Sequence, residues 1–149
     1  LEFRRVLFRS SQIIDVNGWL HTGDLATMDT EGYVTVRGHS KNMLLTASGQ
    51  NIYPEEIESK LNNMPYVSES LIVLQNDKLV ALIYPDFDDA FAHGMEQSDI
   101  EKVMEDNRNE LNLQLPAYCQ ITKVKIHFEE FEKTAKKSIK RFMYQEVKG

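Results

Sequence analysis

Short runs of β-favouring apolar residues dominate the chain, and two pairs of these runs are spaced as hairpins. Residues 25–29 and 33–37 flank a short turn that contains Gly32, which is a hairpin signal. Residues 67–75 and 78–84 are longer and are separated by an Asn-Asp dipeptide that favours a tight turn. The pattern therefore predicts an early hairpin and a second, longer antiparallel hairpin in the middle of the chain.

A helical pattern begins at Pro54. Proline suits a first helical position because it has no N–H to lose there, and acidic residues suit the positive end of a helix. The acidic residues that follow are Glu55, Glu56 and Glu58. The apolar residues at i, i+4 and i+7 are Ile57, Leu61 and Met64. The spacing predicts one helix facing a core, and it favours helix-start electrostatics over acid–base chemistry for the glutamates.

The second half of the chain alternates between helical and strand patterns. Residues 98–101, Ser-Asp-Ile-Glu, form a capping-box pattern that predicts the start of a helix ending before Pro116. Residues 122–128 alternate between apolar and polar side chains, which predicts a strand. A last short helix is predicted from near residue 137 through residue 144, whereas residues 87–97 show no clear pattern.

The order of these elements predicts an α+β fold. From residue 43 onward the order β-α-β-β-α-β-α, with a hairpin in the middle, suggests helices packed on a small antiparallel or mixed sheet. The composition, 42% hydrophobic and 27% charged over 149 residues, is that of a folded chain with one domain or one domain and a fragment. The first ten residues, LEFRRVLFRS, are interpreted as a non-native or artefactual segment.

Charge, cysteine content and hydropathy exclude several classes of function. The net charge is −6, and it is −8 without the three Arg and one Glu of the first ten residues, which argues against nonspecific nucleic-acid binding. Cys119 is the single cysteine and no paired Cys/His spacing is present, so no metal site is predicted and a reducing, cytoplasmic compartment is expected. Cys119 itself is interpreted as a small buried apolar side chain. No apolar run approaches the roughly 20 residues of a membrane span, while peripheral membrane contact stays open.

Three ordered motifs give the chain a family resemblance. They are GWLHTGDLATMDTEGYVTVRGHSKNMLLTASGQNIYPEEIE, LPAY at 115–118 and FEKTAKKSIKR at 131–141. The chain from about Ile14 to its end resembles the junction and C-terminal domain of the adenylate-forming enzymes, which include acyl-CoA synthetases, adenylation domains and luciferases. It is most similar to bacterial long-chain fatty-acid-CoA ligases. The resemblance implies that residues 11–40 end the N-terminal AMP-binding domain and that residues 41–149 form the mobile C-terminal lid.

The resemblance implies a two-step ligation that uses ATP, Mg²⁺ and CoA. A fatty-acid carboxylate attacks the α-phosphate of ATP to give an acyl-adenylate and pyrophosphate, and the CoA thiol then displaces AMP. In the family the lid adopts one pose for each half-reaction. The partner implied is the missing N-terminal domain, which holds most of the ATP, Mg²⁺ and acyl contacts. The 149 residues contain no Gly/Ser/Thr-rich phosphate loop, so the fragment alone is expected to be inactive.

The Thr22-Gly23-Asp24 sequence matches the family's nucleotide-binding acid. By this resemblance Asp24 accepts hydrogen bonds from the two ribose hydroxyls, a role that suits an ionised carboxylate; without the other motifs a turn-stabilising Asp would be preferred. The family's Gly-Arg pair is Gly38-His39 here, and His39 lacks the permanent charge and forked donors of Arg. Arg37 could substitute if the strand end permits, although strand alternation directs it away from the face of its neighbour Gly38.

Two further positions are assigned by the same resemblance. Lys41 matches the hinge, where a polar residue lets the backbone rotate; an ordinary exposed loop lysine is the alternative. Ser48, Gly49 and Gln50 correspond to the loop that borders the pantetheine channel for CoA, and the alternative is an ordinary Gly turn.

The basic segment at 133–141 departs from the family pattern. The family places a lysine directly before Ile139, where it contacts the α-phosphate and the substrate carboxylate during adenylation. That position is Ser138 here, and the lysine is displaced to Lys137. Three interpretations stay open: Lys137 acts with a shifted register, other groups replace it, or this copy is impaired. A solvated basic helix face is the structural alternative.

Two alternative functions also stay open. One is a stand-alone binding or interaction module that kept the fold and lost the chemistry, which His39 and Ser138 support weakly. The other is a ligase that loads an acyl carrier protein instead of CoA. The acyl chain length, predicted to be long, is not encoded in this segment because the acyl pocket lies elsewhere.

Overall fold

The computed structural model describes residues 14–145, and the chain divides between Lys41 and Asn42 into two compact units. The interpretation of residues 1–10 as artefactual falls outside the described residues. None of the helices within residues 14–145 is long and apolar enough to cross a bilayer.

The first unit, Leu1–Lys41, contains the predicted early hairpin. Strands β1 (Asp24–Met28) and β2 (Val34–His39) pair antiparallel, which confirms the prediction. The turn forms because the Asp29 carboxylate accepts hydrogen bonds from the Glu31 and Tyr33 amides, both at 2.9 Å. A β-bulge interrupts the register at the start of β1.

The second unit, Asn42–Gly149, has eight regular elements in its described part, after a 3₁₀ turn at Ser40–Asn42. In chain order they are β3 (Leu44–Leu45), β4 (Asn51–Ile52), α1 (Pro54–Leu61), β5 (Val67–Gln75), β6 (Lys78–Pro85), α2 (Phe87–Ala92), α3 (Gln97–Gln114) and β7 (Lys123–Ile126). Two further 3₁₀ turns lie at Ala117–Cys119 and Arg141–Met143.

The main sheet has the order β5-β6-β7 and is mixed. Strands β5 and β6 form the predicted antiparallel hairpin, and β7 runs parallel to β6. The two turn residues, Asn76 and Asp77, both have positive φ angles, 48° and 57°, as a two-residue hairpin turn requires. Strand β7 can run parallel to β6 because α2 and α3 return the chain to the end of the sheet at which β6 begins. The fold is therefore the α+β domain that the sequence predicts.

Apolar side chains cover both faces of this sheet. One face packs against the helices through a cluster that includes Ile57, Leu61, Ile72, Ile83, Ile100, Met104, Leu111 and Ile121. The other face carries Leu71, Val73, Val80 and Leu82, and it is covered by Phe131, Ile139 and Tyr144. The C-terminal segment, residues 131–144, therefore covers the second face of the sheet.

Two helix boundaries differ from the sequence prediction. The α3 capping box uses Glu96 as the N-cap and Asp99 as its N3 partner, two residues earlier than the Ser98 start predicted. A short helix, α2, occupies part of the patternless segment 87–97; the Asp86 carboxylate caps it by accepting from the Asp89 amide at 3.0 Å. Both helices start with acidic caps that a Ser-based pattern does not detect.

The predicted last helix is wrong. Residues 133–139 form a tight turn closed by an antiparallel bridge between Lys133 and Ile139, and only Arg141–Met143 is helical, as one 3₁₀ turn. Lys137 has a φ angle of 60°, in the left-handed region, which a right-handed helix cannot contain. The Thr134 hydroxyl accepts from the Ser138 amide at 3.3 Å, so a side-chain bond competes with the helical pattern.

Candidate functional site

The Thr22-Gly23-Asp24 segment is a built turn at the start of β1. The Asp24 amide donates to the Thr22 hydroxyl at 3.2 Å, and the Gly23 carbonyl accepts from the Ser40 amide at 2.8 Å. Gly23 has a φ angle of 77°, which an L side chain adopts only with strain. The turn therefore fixes the backbone of Asp24 while its carboxylate stays accessible.

His39 is the partner of that carboxylate. The two residues face each other across the hairpin, and His39 Nδ1 lies 2.7 Å from Asp24 Oδ1. The side chains are 56% and 36% exposed, so the pair is open to a ligand. The sequence assigned both residues to nucleotide binding but missed their contact. A sequence-based hairpin register that included the bulge would have placed Asp24 opposite His39 and so predicted this contact.

Arg37 lies at that bulge. Leu25 pairs with Gly38, and the next residue, Ala26, pairs with Val36. Arg37 is therefore the extra, unpaired residue of β2. Its Nε donates to the Thr27 hydroxyl at 3.2 Å. A bulge re-aims the side chain that it carries, so simple strand alternation does not describe Arg37.

Lys41 is exposed in the 3₁₀ turn at Ser40–Asn42 and is the last residue of the first unit. In the second unit, the side-chain amide of Asn42 donates to Glu55 Oε1 in α1 at 2.6 Å. Asn42, the first residue of the second unit, is thus bound to that unit through its own side chain.

Ser48, Gly49 and Gln50 lie together in the turn that joins β3 to β4. The Thr46 hydroxyl organises this turn, bonding the Ser48 hydroxyl at 2.9 Å and accepting from the Gln50 amide at 3.1 Å. Gly49 has a φ angle of 78°, and a Cβ there would meet nothing within 4 Å. Backbone conformation alone therefore explains this glycine within the unit.

Three of the five cations in the basic segment 133–141 form ion pairs inside the domain. Lys133 binds Glu69 at 2.7 Å and Glu130 at 3.2 Å; the hydrogen bond to Glu69, more than that to Glu130, raises the pKa of Lys133. Lys140 pairs with Glu132 at 3.3 Å. These two lysines hold the stem of the 133–139 turn through their ion pairs.

Arg141 makes the most buried of these pairs, and its partner corrects the sequence interpretation. Its Nη1 and Nη2 atoms donate to the two carboxylate oxygens of Glu58 in α1, each at 2.7 Å. Glu58 is therefore a buried structural acid and does not serve mainly as a helix-start charge. Sequence reasoning could not find this pair, because the partners are 83 positions apart.

Lys136 and Lys137 remain at the exposed tip of the turn. Within residues 14–145, neither of their side chains has a hydrogen-bond or ion-pair partner. Lys137 is held by its backbone, since its amide donates to the Thr134 carbonyl at 2.9 Å. Ser138 is also exposed and follows directly on the stem side of the turn. The described part of the fold thus presents two ammonium groups, those of Lys136 and Lys137, at the tip of a turn whose backbone is closed by hydrogen bonds.

The other reactive side chains serve the structure. Burial raises the pKa of the half-buried Cys119 thiol, which keeps it from acting as a thiolate near neutral pH. Three histidines have local partners, with His21 near Asp15, His93 near Asp89 and His127 stacked on Phe131. In the described part of the chain no three His, Cys, Asp or Glu side chains are grouped as metal ligands.

The left-handed conformation of Lys137 gives a stability prediction. Lys137→Gly is expected to raise the free energy of unfolding by about 0.5 to 1 kcal/mol, because glycine adopts this conformation without steric cost. Lys136→Gly is the matched control and should lower it by about 0.5 to 1 kcal/mol through added chain entropy. Urea unfolding of the 149-residue chain measures both. Changes of the same sign would contradict the turn geometry.

Comparisons with known proteins agree with this architecture. The family model described as AMP-binding enzyme C-terminal domain matches residues 41–146. A 3-[(3aS,4S,7aS)-7a-methyl-1,5-dioxo-octahydro-1H-inden-4-yl]propanoyl:CoA ligase of Rhodococcus jostii (strain RHA1) is 41% identical over 43% of this chain and 12% of its own length. The fatty acid–[acyl-carrier-protein] ligase ScoC of Streptomyces coeruleorubidus is 47% identical over 39% of this chain and 11% of its own.

A solved structure shows the same fold with a related sequence. The anthranilate CoA ligase AuaEII, in complex with anthranoyl-AMP, superposes with a TM-score of 0.68 and 27% identity over 92% of this chain and 25% of that one. The aligned regions span only 12% and 11% of the two sequence relatives, about a tenth of each. On the family match over residues 41–146, the chain belongs to the AMP-binding enzymes and contains their C-terminal domain.

Proposed function

We propose that this chain is the C-terminal part of an ATP-dependent acyl-CoA ligase that activates a fatty acid as an acyl-adenylate and transfers it to CoA. The observation that carries the proposal is the exposed Lys137 ammonium on a closed turn whose other cations, apart from Lys136, are ion-paired. A cation on a turn whose backbone is closed by hydrogen bonds suits the charge that develops on the α-phosphate when the carboxylate attacks it. The relatives' names support ligation of carboxylic acids.

Asp24 is assigned to the ribose of the nucleotide. Its backbone is fixed by the Thr22 turn, and a carboxylate with one oxygen bonded to His39 still has lone pairs for sugar hydroxyls. In this role His39 orients the acid, and Arg37 contributes positive charge from the neighbouring bulge. These residues bind and orient the nucleotide but transfer no proton.

The second unit and Lys41, the last residue of the first, supply the remaining roles. Lys137 approaches the α-phosphate, with Ser138 beside it in the family's usual lysine position, and the turn at 48–50 borders the passage for the CoA pantetheine. Lys41 lets the two units rotate between half-reactions, which the division of the chain at this residue supports. Mg²⁺ is expected to be held mostly by the larger N-terminal domain, and the enzyme is expected in the cytoplasm.

The acyl acceptor has one specific alternative. The relative ScoC is named as a ligase that loads an acyl-carrier protein, so a carrier thiol is the second candidate. The acyl group is proposed to be long, because other relatives are named as long-chain fatty-acid–CoA ligases, including one from Mus musculus at 30% identity over half of this chain.

The test is substrate-dependent AMP release by the complete ligase that contains this segment. We expect pyrophosphate release when ATP and a long-chain fatty acid are present, and release of AMP with product turnover only when free CoA is added as well. Release that needs a purified carrier protein and ignores CoA would support the alternative. No adenylate with any fatty acid would reject the ligase proposal.

Asp24→Ala is expected to weaken nucleotide contacts by about 1.5 to 3 kcal/mol, the range for hydrogen bonds to a charged group. In steady-state assays of the complete ligase this corresponds to a loss in kcat/KM for ATP of about 10-fold to 150-fold. Glu31→Ala, which removes an exposed charge from the same hairpin, is the control. Unchanged ATP kinetics in Asp24→Ala would reject the ribose assignment.

A further inference from the structure

Strand β5 lies at the edge of the sheet, and at one position the backbone N–H and C=O groups on its open side are bonded to side chains. The sheet order β5-β6-β7 leaves one side of β5 without a neighbouring strand. At that side the Ile72 amide donates to Glu58 Oε1 at 2.7 Å, and the Ile72 carbonyl accepts from Arg141 Nη1 at 3.0 Å. The Glu58–Arg141 pair thus takes the place of a further strand at Ile72.

The geometry of this pair is directional. Arg141 Nη1 donates to Glu58 Oε1 and Nη2 donates to Oε2, each at 2.7 Å, and the side chains are only 12% and 11% exposed. A bidentate pair fixes angle as well as distance. Arg141 is therefore fixed at once to α1 and to the backbone of β5.

The apolar contacts of the C-terminal segment lack this directionality. Phe131, Ile139 and Tyr144 pack on the outer sheet face, and apolar packing alone tolerates small shifts along a strand. Polar anchors near both ends of the turn oppose such a shift. Lys133 binds Glu69 of β5 before the turn, and Arg141 binds Glu58 after it.

The turn between these anchors has little freedom of its own. The Lys140 amide donates to the Glu132 carbonyl at 2.7 Å, and the Thr134 amide donates to the Ser138 carbonyl at 2.8 Å. A shift of the Arg141 anchor is consequently transmitted through the stem to the tip at Lys137, which has no side-chain partner among residues 14–145 to hold it.

We propose that Arg141 is a positioning residue for Lys137: its clamp on Glu58 and Ile72 sets the register of the C-terminal segment and so the place of the Lys137 ammonium. The proposal rests on the proposed function, because it assigns a purpose to the location of Lys137. The Arg141 guanidinium is itself bound inside the domain, to Glu58 and Ile72. A misplacement of about 1 Å at a charge-stabilising group costs up to about 100-fold in rate.

The test is a double-mutant cycle on the two half-reactions of the complete ligase. Arg141→Met is expected to slow acyl-adenylate formation by about 10-fold to 100-fold and to leave thioester formation from supplied acyl-adenylate within about twofold. In a Lys137→Ala background, Arg141→Met should add less than about twofold, because the group that it positions is gone. Glu58→Gln should reproduce the Arg141→Met pattern more weakly, and it replaces Arg141→Met if that variant does not fold.

Leu111→Ala is the stability control, since it removes a buried side chain on the helical face of the sheet. Below its melting temperature it should leave the ratio of the two half-reactions unchanged. The positioning role is overturned if Arg141→Met or Glu58→Gln slows both half-reactions equally, or slows adenylation as much without Lys137 as with it. If Lys137→Ala itself has normal adenylation, the proposed function of Lys137 fails first, and the two failures are distinct.

Discussion

Replacing Lys137 with alanine is expected to slow acyl-adenylate formation in the complete ligase by about 100-fold to 1,000-fold, the cost of removing one preorganised charge stabiliser. The ammonium is exposed on a turn whose backbone is closed by hydrogen bonds, so contact with a phosphate would need no reorganisation of the domain. Thioester formation from supplied acyl-adenylate should stay near its original rate, since the proposed role of Lys137 is confined to adenylation. Single-turnover measurement of each half-reaction separates the two effects.

Lys136→Ala is the matched control for this experiment. It removes the same charge one position away on the same exposed tip, and Lys136 has a different backbone conformation from the left-handed Lys137. A comparable loss in both variants would indicate general attraction of the nucleotide to a basic tip. Normal adenylation in Lys137→Ala would show that another group binds the α-phosphate, and an equal loss in both half-reactions would indicate misfolding.

Replacing Arg141 with methionine is expected to lower the free energy of unfolding by about 3 to 5 kcal/mol, because it leaves the Glu58 carboxylate buried without its cation. The Ile72 carbonyl at the sheet edge loses its donor in the same variant. Chemical unfolding of the 149-residue chain, followed by circular dichroism, measures the loss.

The double variant Glu58→Leu/Arg141→Met tests whether the loss comes from the isolated charge. It should be more stable than the sum of the two single losses predicts, since neither partner is left charged and alone. Its remaining deficit relative to the unchanged chain reflects the uncovered backbone of Ile72. Strict additivity of the two single losses would contradict a direct Glu58–Arg141 interaction.

The local part of the fold was predictable from the sequence. The two hairpins, the helix at Pro54 and the strand before residue 127 all depend on turn chemistry and on periodicity within a few residues. The long hairpin was found almost to the residue, because its Asn76-Asp77 turn and its apolar runs agree. The helix prediction at 137–144 was wrong because the helical spacing there competes with the 133–139 turn and with the ion pair between Arg141 and the distant Glu58.

The candidate site likewise has features that the local sequence encodes and features that depend on long-range contacts. The sequence alone determined the α+β fold, the Thr22-Gly23-Asp24 turn and the presence of a basic C-terminal segment, because each is encoded by neighbouring residues. Only the tertiary structure decided which cations stay available, since Arg141 pairs with Glu58, 83 positions away, and Lys133 pairs with Glu69 on strand β5. Ion pairing depends on which charges the folded backbone brings within about 4 Å, and spacing along a chain does not contain that information.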